Sequence, residues 1–193
     1  MVKSVLSAVL PAEMLYEIRR RRRHQCNGPS ADTFLVNHAA RKDVTRFPVE
    51  EGIYVEVFWK ALPAATGPAF SLFAYDEEVL RLDCGGPGKG HFHASFLTKQ
   101  HTWQNRNQFF ENTRETQIQR AVFELQNNIG YYLERHPWKK IREIELAEGP
   151  WKVLCSEAGL HANKFLLTVP ELIFAEKSEN KQKDNATLDR GRV

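Results

Sequence analysis

Apolar and polar side chains alternate along several stretches in the first half of the chain. The clearest stretch runs from Ile53 to Lys60, where Ile, Val, Val and Trp alternate with Tyr, Glu, Phe and Lys. A second runs from Ala69 to Tyr75, and a third, from Val79 to Phe96, is interrupted by glycines. A period of two is the pattern of a strand with one buried face. Short connections between such strands predict an antiparallel β-meander.

The period of the pattern changes from two to 3.6 near residue 111. From there apolar side chains recur at steps of three and four residues and form one stripe, which consists of Ile118, Val122, Leu125, Ile129 and Tyr132. We predict a helix from Glu111 to Arg135, with Asn112 and Glu115 capping its start and Pro137 barring its continuation. One long helix across the apolar face of a meander predicts an α+β domain.

The two ends of the chain carry weaker patterns. Pro11 suits the first turn of an N-terminal helix, whereas residues 31–48 lack periodicity and are expected to form a connection or a short helix. Leu62 to Pro68 is expected to be a loop.

Short strand-like pieces return after Lys139, separated by Gly149-Pro150 and Ala158-Gly159. We expect extra C-terminal strands at Ile141 to Leu146, Trp151 to Cys155 and Lys164 to Val169. The chain is then a single domain over residues 1–176, followed by a polar, disordered tail over residues 177–193.

Composition narrows the class of protein without naming a function. The chain has 193 residues and a net charge of +3, and its five consecutive arginines, Arg19 to Arg23, are either a phosphate-binding surface or a solvated helix end. Three dispersed cysteines fit a reducing cytoplasm better than a disulfide framework. No stretch is long and apolar enough to span a membrane or to act as a signal peptide. We therefore expect a cytoplasmic protein without a membrane partner.

The third alternating stretch holds the candidate chemistry. Strand alternation places Arg81 and Asp83 on the face opposite the leucines, and His91 and His93 on the face opposite the phenylalanines. A tight antiparallel register would set Asp83 opposite His91 and Arg81 opposite His93. The four side chains would then form a polar patch beside a loop that contains four glycines.

The first interpretation of this patch is metal-independent cleavage of RNA, with no cofactor. His91 and His93 would share the roles of general base and acid, and Asp83 would orient one ring. Lys89, Gly88 and Gly90 would bind a phosphate, with Arg81 supplying further charge.

The second interpretation is a divalent-metal site formed by His91, His93 and Asp83. Gly85 followed after five residues by His91-Phe92-His93 is similar to the opening of the cupin metal motif. The glutamate that the cupin motif next requires is absent, since Leu97 and Thr98 stand in its place.

Two further interpretations remain open. Cys84 and His91 could form a nucleophilic pair, because an imidazole and backbone amides would activate a thiolate. Alternatively, the histidines only hydrogen-bond across the sheet surface and the protein is a non-enzymatic interaction module.

The same stretch resembles the TumE-like family, small proteins assigned as the toxin of a toxin–antitoxin pair. The family signature runs Leu-Arg-Tyr-Asp-Asn, a spacer, Gly-Lys-Gly-Asp and then His-Arg-His. The matching segments here are residues 80–84, 88–90 and 91–93. Leu82, Cys84 and Phe92 depart from the signature, and the residue that it places before the histidines is absent. The resemblance covers residues 53–135. It implies a toxin-like protein that acts on RNA and is neutralised by an antitoxin-like partner, and it carries over Arg81, Asp83, Lys89, His91 and His93.

Overall fold

The structure is a computed structural model that describes residues 41–62, 65–75, 77–94 and 107–169, together with positions 11, 14, 17 and 18. Its strands are β1 (Arg41–Glu50), β2 (Ile53–Leu62), β3 (Ala65–Ala74), β4 (Glu77–Asp83), β5 (His91–Ala94) and β6 (Asn107–Gln108). Its helices are α1 (Arg114–Glu134), α2 (Lys139–Arg142) and α3 (Glu148–Thr168). The predicted α+β class is confirmed.

The six strands form one antiparallel sheet in which each strand pairs with its neighbours in the sequence. The predicted meander is therefore confirmed for the described strands. The register between β2 and β3 is continuous from Ile53, opposite Ala74, to Leu62, opposite Ala65. Since side chains alternate along each strand, this register gives the sheet one apolar face and one polar face.

Helices α1 and α3 cover the apolar face of the sheet. The core holds Val55, Val57, Phe70, Leu72, Leu80 and Leu82 from the strands, and Ile118, Leu125, Trp151, Ala158 and Phe165 from the helices. Trp151 of α3 donates its indole N–H to the carbonyl oxygen of Leu125 in α1 at 2.7 Å. The predicted stripe of α1 thus faces the sheet, although a second helix shares the cover.

Helix α1 starts later than predicted. Its N-cap is Thr113, whose side chain accepts a hydrogen bond from the Thr116 backbone amide, while the Thr116 hydroxyl accepts one from the Thr113 amide. The prediction that Asn112 and Glu115 cap the helix was wrong, because Thr113 and Thr116 supply both halves of the capping box. The predicted end is confirmed within one residue, since the helix stops at Glu134.

The predicted C-terminal strands were wrong. Residues 148–168 form the single helix α3, and α2 occupies part of the segment from Ile141 to Leu146. Pro150 lies in the first turn of α3, where the missing amide hydrogen costs no intrahelical bond. Gly159 lies inside α3, and it allows the two helices to pack closely, since a Cβ there would lie 2.6 Å from Val122 of α1. Both glycine-containing pairs were therefore misread as breaks between strands.

Two strand boundaries also differ from prediction. Residues 41–50 form strand β1 rather than a connection, and alternate positions in most of it are exposed. This edge strand has a weak signal because it is rich in charge, contains Pro48 and is irregular near Asp43. Strand β3 begins at Ala65 within the predicted loop. Gly67 allows β3 to pass close to the backbone at Cys84, because a Cβ at position 67 would overlap the Cys84 carbonyl oxygen.

Several predictions fall on residues outside the described ranges. They include Arg19 to Arg23, Phe96 and the tail over residues 177–193. Of the predicted N-terminal helix, Met14, Glu17 and Ile18 are described and are helical. No helix in the described part of the chain has the length and apolar character needed to cross a membrane.

Candidate metal centre

The polar face of the sheet brings the predicted site residues together at the paired ends of β4 and β5. Asp83 lies opposite His91 and Arg81 lies opposite His93, as the alternation predicted. Leu82 pairs with Phe92 on the other face and packs toward the core. The predicted strand phase and register are therefore confirmed for these four residues.

The carboxylate of Asp83 is the centre of the cluster. Its Oδ2 atom lies 3.1 Å from His91 Nε2 and 3.7 Å from His93 Nε2. The same oxygen lies 3.5 Å from Arg81 Nε. Lys60 of β2 reaches it across β3 and donates a hydrogen bond of 2.6 Å. Four side chains from three strands thus converge on one carboxylate oxygen.

Lys60 is a site residue that the sequence pattern did not reveal. Its alternation on β2 already placed it on the polar face. Its contact with Asp83, however, depends on the register of two strand pairs, which relate residues 23 positions apart. Only that combined register would have shown that Lys60 ends beside the carboxylate.

The glycine loop fixes the tautomer of His91. Its Nδ1 atom lies 2.7 Å from the carbonyl oxygen of Lys89, which can only accept a hydrogen bond, so Nδ1 carries a hydrogen. In the neutral ring Nε2 then presents a lone pair. This atom is buried and makes no hydrogen bond of acceptable geometry, and the same holds for Asp83 Oδ1. A buried imidazole nitrogen 3.1 Å from a buried carboxylate oxygen is an arrangement that a shared proton or a metal cation would stabilise.

The charges in the cluster favour the metal-binding forms of Asp83 and His93. Burial alone would raise the pKa of Asp83, but the positive charge of Arg81, the contact with His91 and the charge of Lys60 hold that pKa well below its usual range. Burial, followed by the charge of Arg81, lowers the pKa of His93 to about 3. Asp83 is therefore ionised and His93 neutral at pH 7, and these are the forms that coordinate metals.

The spacing of the donors fits a single ion after a small adjustment. One ligand atom from each of Asp83, His91 and His93 lies within 4.8 Å of the others. An ion about 2.1 Å from each donor would hold tetrahedral donors about 3.4 Å apart, so the widest donor spacing would have to shorten by up to about 1.4 Å when an ion binds. Within the described ranges these three residues are the candidate ligands, and three ligands would leave a coordination position open, as in metal sites that perform catalysis.

The glycine loop between β4 and β5 is fastened to helix α1 by Gln117, a residue that sequence analysis placed on the helix but assigned no role. Its side chain accepts a hydrogen bond from the Gly86 amide at 2.9 Å and donates one to the Gly86 carbonyl oxygen at 2.8 Å. The amides of Lys89 and Gly90 both donate to the Gly86 carbonyl oxygen. These amides are engaged within the loop. The predicted phosphate-binding role of Gly88, Lys89 and Gly90 stays a prediction, and it depends mainly on the exposed Lys89 ammonium.

A row of buried charges continues from the cluster along the polar face. Arg81 Nη1 lies 3.6 Å from Glu78, Arg41 lies 2.7 Å from the same carboxylate, and Arg41 also lies 2.9 Å from Glu56. Together with the Lys60–Asp83 pair, three largely buried cations face three buried carboxylates, and the exposed Arg46 also contacts Glu56 at 2.9 Å. The three carboxylates are therefore already matched by cations when no ion is bound.

Cys84 does not share the environment of the cluster. Its side chain packs in the hydrophobic core. Burial, followed by the charge of Asp83, raises the pKa of the Cys84 thiol well above its usual value. The thiol is protonated at neutral pH, which is the state of a packing residue and not of the nucleophile in the predicted pair with His91.

Comparison of the chain with protein-family models, curated proteins and solved structures found no match. The resemblance to the TumE-like family stays a prediction, as do RNA as a substrate and an antitoxin-like protein as a partner.

Proposed function

We propose that the protein binds one divalent transition-metal ion through Asp83, His91 and His93, and that this centre carries its activity. The observation that supports the proposal is the orientation of His91, whose Nδ1 is bonded to the Lys89 carbonyl oxygen while Nε2 is buried beside Asp83. Ligating histidines commonly donate their second ring nitrogen to a carbonyl oxygen in this way. Two imidazoles and one carboxylate suit Zn²⁺, Fe²⁺ or Mn²⁺ better than Mg²⁺ or Ca²⁺.

The open coordination position favours a catalytic over a purely structural ion. Structural zinc sites use four protein ligands, whereas the described residues offer three at this cluster. Access to the ion would be from the side of His93, Arg81 and Lys60, whose side chains are 21%, 16% and 13% exposed. His91 and Asp83 are buried. An ion held there could polarise a substrate oxygen or a bound water.

The test is metal binding by the purified full chain, measured by elemental analysis after equilibrium dialysis against Zn²⁺, Fe²⁺ or Mn²⁺. We expect one ion per chain, and at least about 100-fold weaker binding in Asp83→Asn, His91→Gln and His93→Gln, since losing a ligand exceeds the 10- to 100-fold loss seen for outer-shell partners. His161→Gln is the matched control, because His161 lies on α3 in contact with Phe47 and Phe165. Equal binding in all four variants, or no binding by the native chain, would reject the metal centre.

A second proposal, metal-independent cleavage of RNA, is favoured by the cations around the cluster. Lys60, Arg81 and Lys89 could bind a phosphodiester, and His91 or His93 could accept the proton of a ribose 2′-hydroxyl. A pKa of about 3 suits His93 poorly for the general-acid role at neutral pH. RNA cleavage in excess chelator, abolished by His91→Gln and reduced in turnover by Lys89→Ala, would support this proposal. If the protein cleaves no RNA under these conditions, the RNA-cleavage proposal fails. A pull-down would then show whether an antitoxin-like protein binds the chain.

A further inference from the structure

The proposed ion would disturb the balance of buried charge on the polar face. Before binding, Arg41, Lys60 and Arg81 are matched by Glu56, Glu78 and Asp83. Ligating histidines are neutral, so a divalent ion adds two positive charges that no described buried carboxylate offsets. Uncompensated buried charge is costly, because the desolvation penalty is repaid only by a close partner of opposite sign.

The positions of Lys60 and Arg81 indicate where a compensating anion would bind. Both contact Asp83 Oδ2, the oxygen that also lies near the two histidines, and both are partly exposed. An oxyanion on the open coordination position would lie beside the ammonium and the guanidinium. Arginine is suited to such a group, since its planar fork pairs with phosphate and carboxylate oxygens.

We propose that the ion and an oxyanion bind together, and that the substrate of this centre carries a phosphate or carboxylate group held between the ion, Lys60 and Arg81. This inference rests on the proposed metal site. In the metal-free protein the Lys60 ammonium pairs with the Asp83 carboxylate. In the metal-bound protein the same ammonium would pair with the oxyanion. Because coupling between two ligands is reciprocal, the oxyanion must raise metal affinity by the same factor by which the metal raises oxyanion affinity.

The experiment measures Co²⁺ binding by visible absorption in chelator-buffered solutions, where the free ion concentration stays fixed when an anion is added. Sodium phosphate, sodium acetate and sodium chloride are compared at equal ionic strength. We expect phosphate or acetate to tighten Co²⁺ binding about tenfold or more relative to chloride, within the usual range of coupling between sites. The more effective anion identifies the oxyanion class.

Variants of Lys60 test the binding of the oxyanion separately from the binding of the metal ion. Lys60→Met should bind Co²⁺ more tightly than the native chain in chloride, because a competing cation is removed, and should lose most of the gain from the oxyanion. Lys60→Arg retains the charge and should retain the gain. Lys152→Met is the control, since Lys152 forms an exposed pair with Glu148 on α3.

Two results have different meanings. If the native chain binds no Co²⁺ in any anion, the proposed metal function fails. If it binds Co²⁺ equally in all three anions, or if Lys60→Met retains the full gain, the metal site stands and the inference of an oxyanion substrate is overturned.

Discussion

The two faces of the sheet are both buried, yet they are held together in different ways. On the helix-covered face, apolar side chains such as Phe70 and Leu82 pack against α1 and α3. On the other face, charged side chains pair along a row from Glu56 to Asp83. Apolar packing is non-directional, so its energy is spread over many contacts. Buried charges depend on specific partners. The first face stabilises the fold, and the second has the chemistry for a site.

The largest effect is expected from truncating the apolar face. Phe70 is fully buried and pairs with Val57 and Leu82 of the neighbouring strands. Phe70→Ala should lower the free energy of unfolding by about 4 kcal/mol, through lost burial and the cavity that is left. Urea denaturation followed by circular dichroism measures the loss. Leu160→Ala, at an exposed position of α3, should change it little. A loss below about 1 kcal/mol for Phe70→Ala would show that this face is not the main core.

A smaller loss is expected from unpairing one charge on the polar face. Glu78 contacts both Arg41 and Arg81, so Glu78→Gln leaves two buried cations with one carboxylate partner fewer. We expect a loss of about 3 kcal/mol, as is typical when one partner of a buried pair is removed. The double variant Arg41→Met, Glu78→Gln should recover much of it relative to the single variants, because both charges are gone. If the two single effects simply add in a double-mutant cycle, the pairing is not what stabilises this face.

The smallest effect is expected at the loop where helix α1 meets the site. A Cβ at Gly90 would overlap the side-chain amide of Gln117, which holds Gly86. Gly90→Ala should cost about 1 to 3 kcal/mol in unfolding free energy by overpacking, and should weaken metal binding by displacing His91. Gly130→Ala is a control of opposite sign, since no atom lies within 4 Å of the added carbon and alanine favours a helix. Unchanged metal affinity in Gly90→Ala would show that the loop does not position His91.

The alternation of apolar and polar residues predicted the strands and the pairing of strands that are adjacent in the sequence. The alternation around Arg81, Asp83, His91 and His93 gave their shared face and their register. Helix α3 was missed because its apolar residues lie on several sides, with Val153 and Leu160 exposed, so short pieces of it resembled strands. Pairs with glycine then looked like boundaries.

The rest of the site depends on contacts between residues that are distant in the sequence. Lys60 reaches Asp83 across β3, and Gln117 fastens a loop that lies 31 residues before it. Neither residue belongs to a motif, and lysine and glutamine are common on strand and helix surfaces. Their roles follow only from the packed structure.

The order of strands in the sheet has a consequence for how the chain folds. Every strand of β1 to β6 pairs with the strands next to it in the sequence, so the sheet can grow hairpin by hairpin. The connections from β1 to β5 have at most seven residues and cost little chain entropy, whereas twelve residues separate β5 from β6. The sheet therefore lies toward the low-contact-order end for β-rich proteins. The expected slow steps are the docking of α1 and α3. The Asp83 cluster draws on β2, β4 and β5, and its geometry is therefore complete only after three successive hairpins have formed.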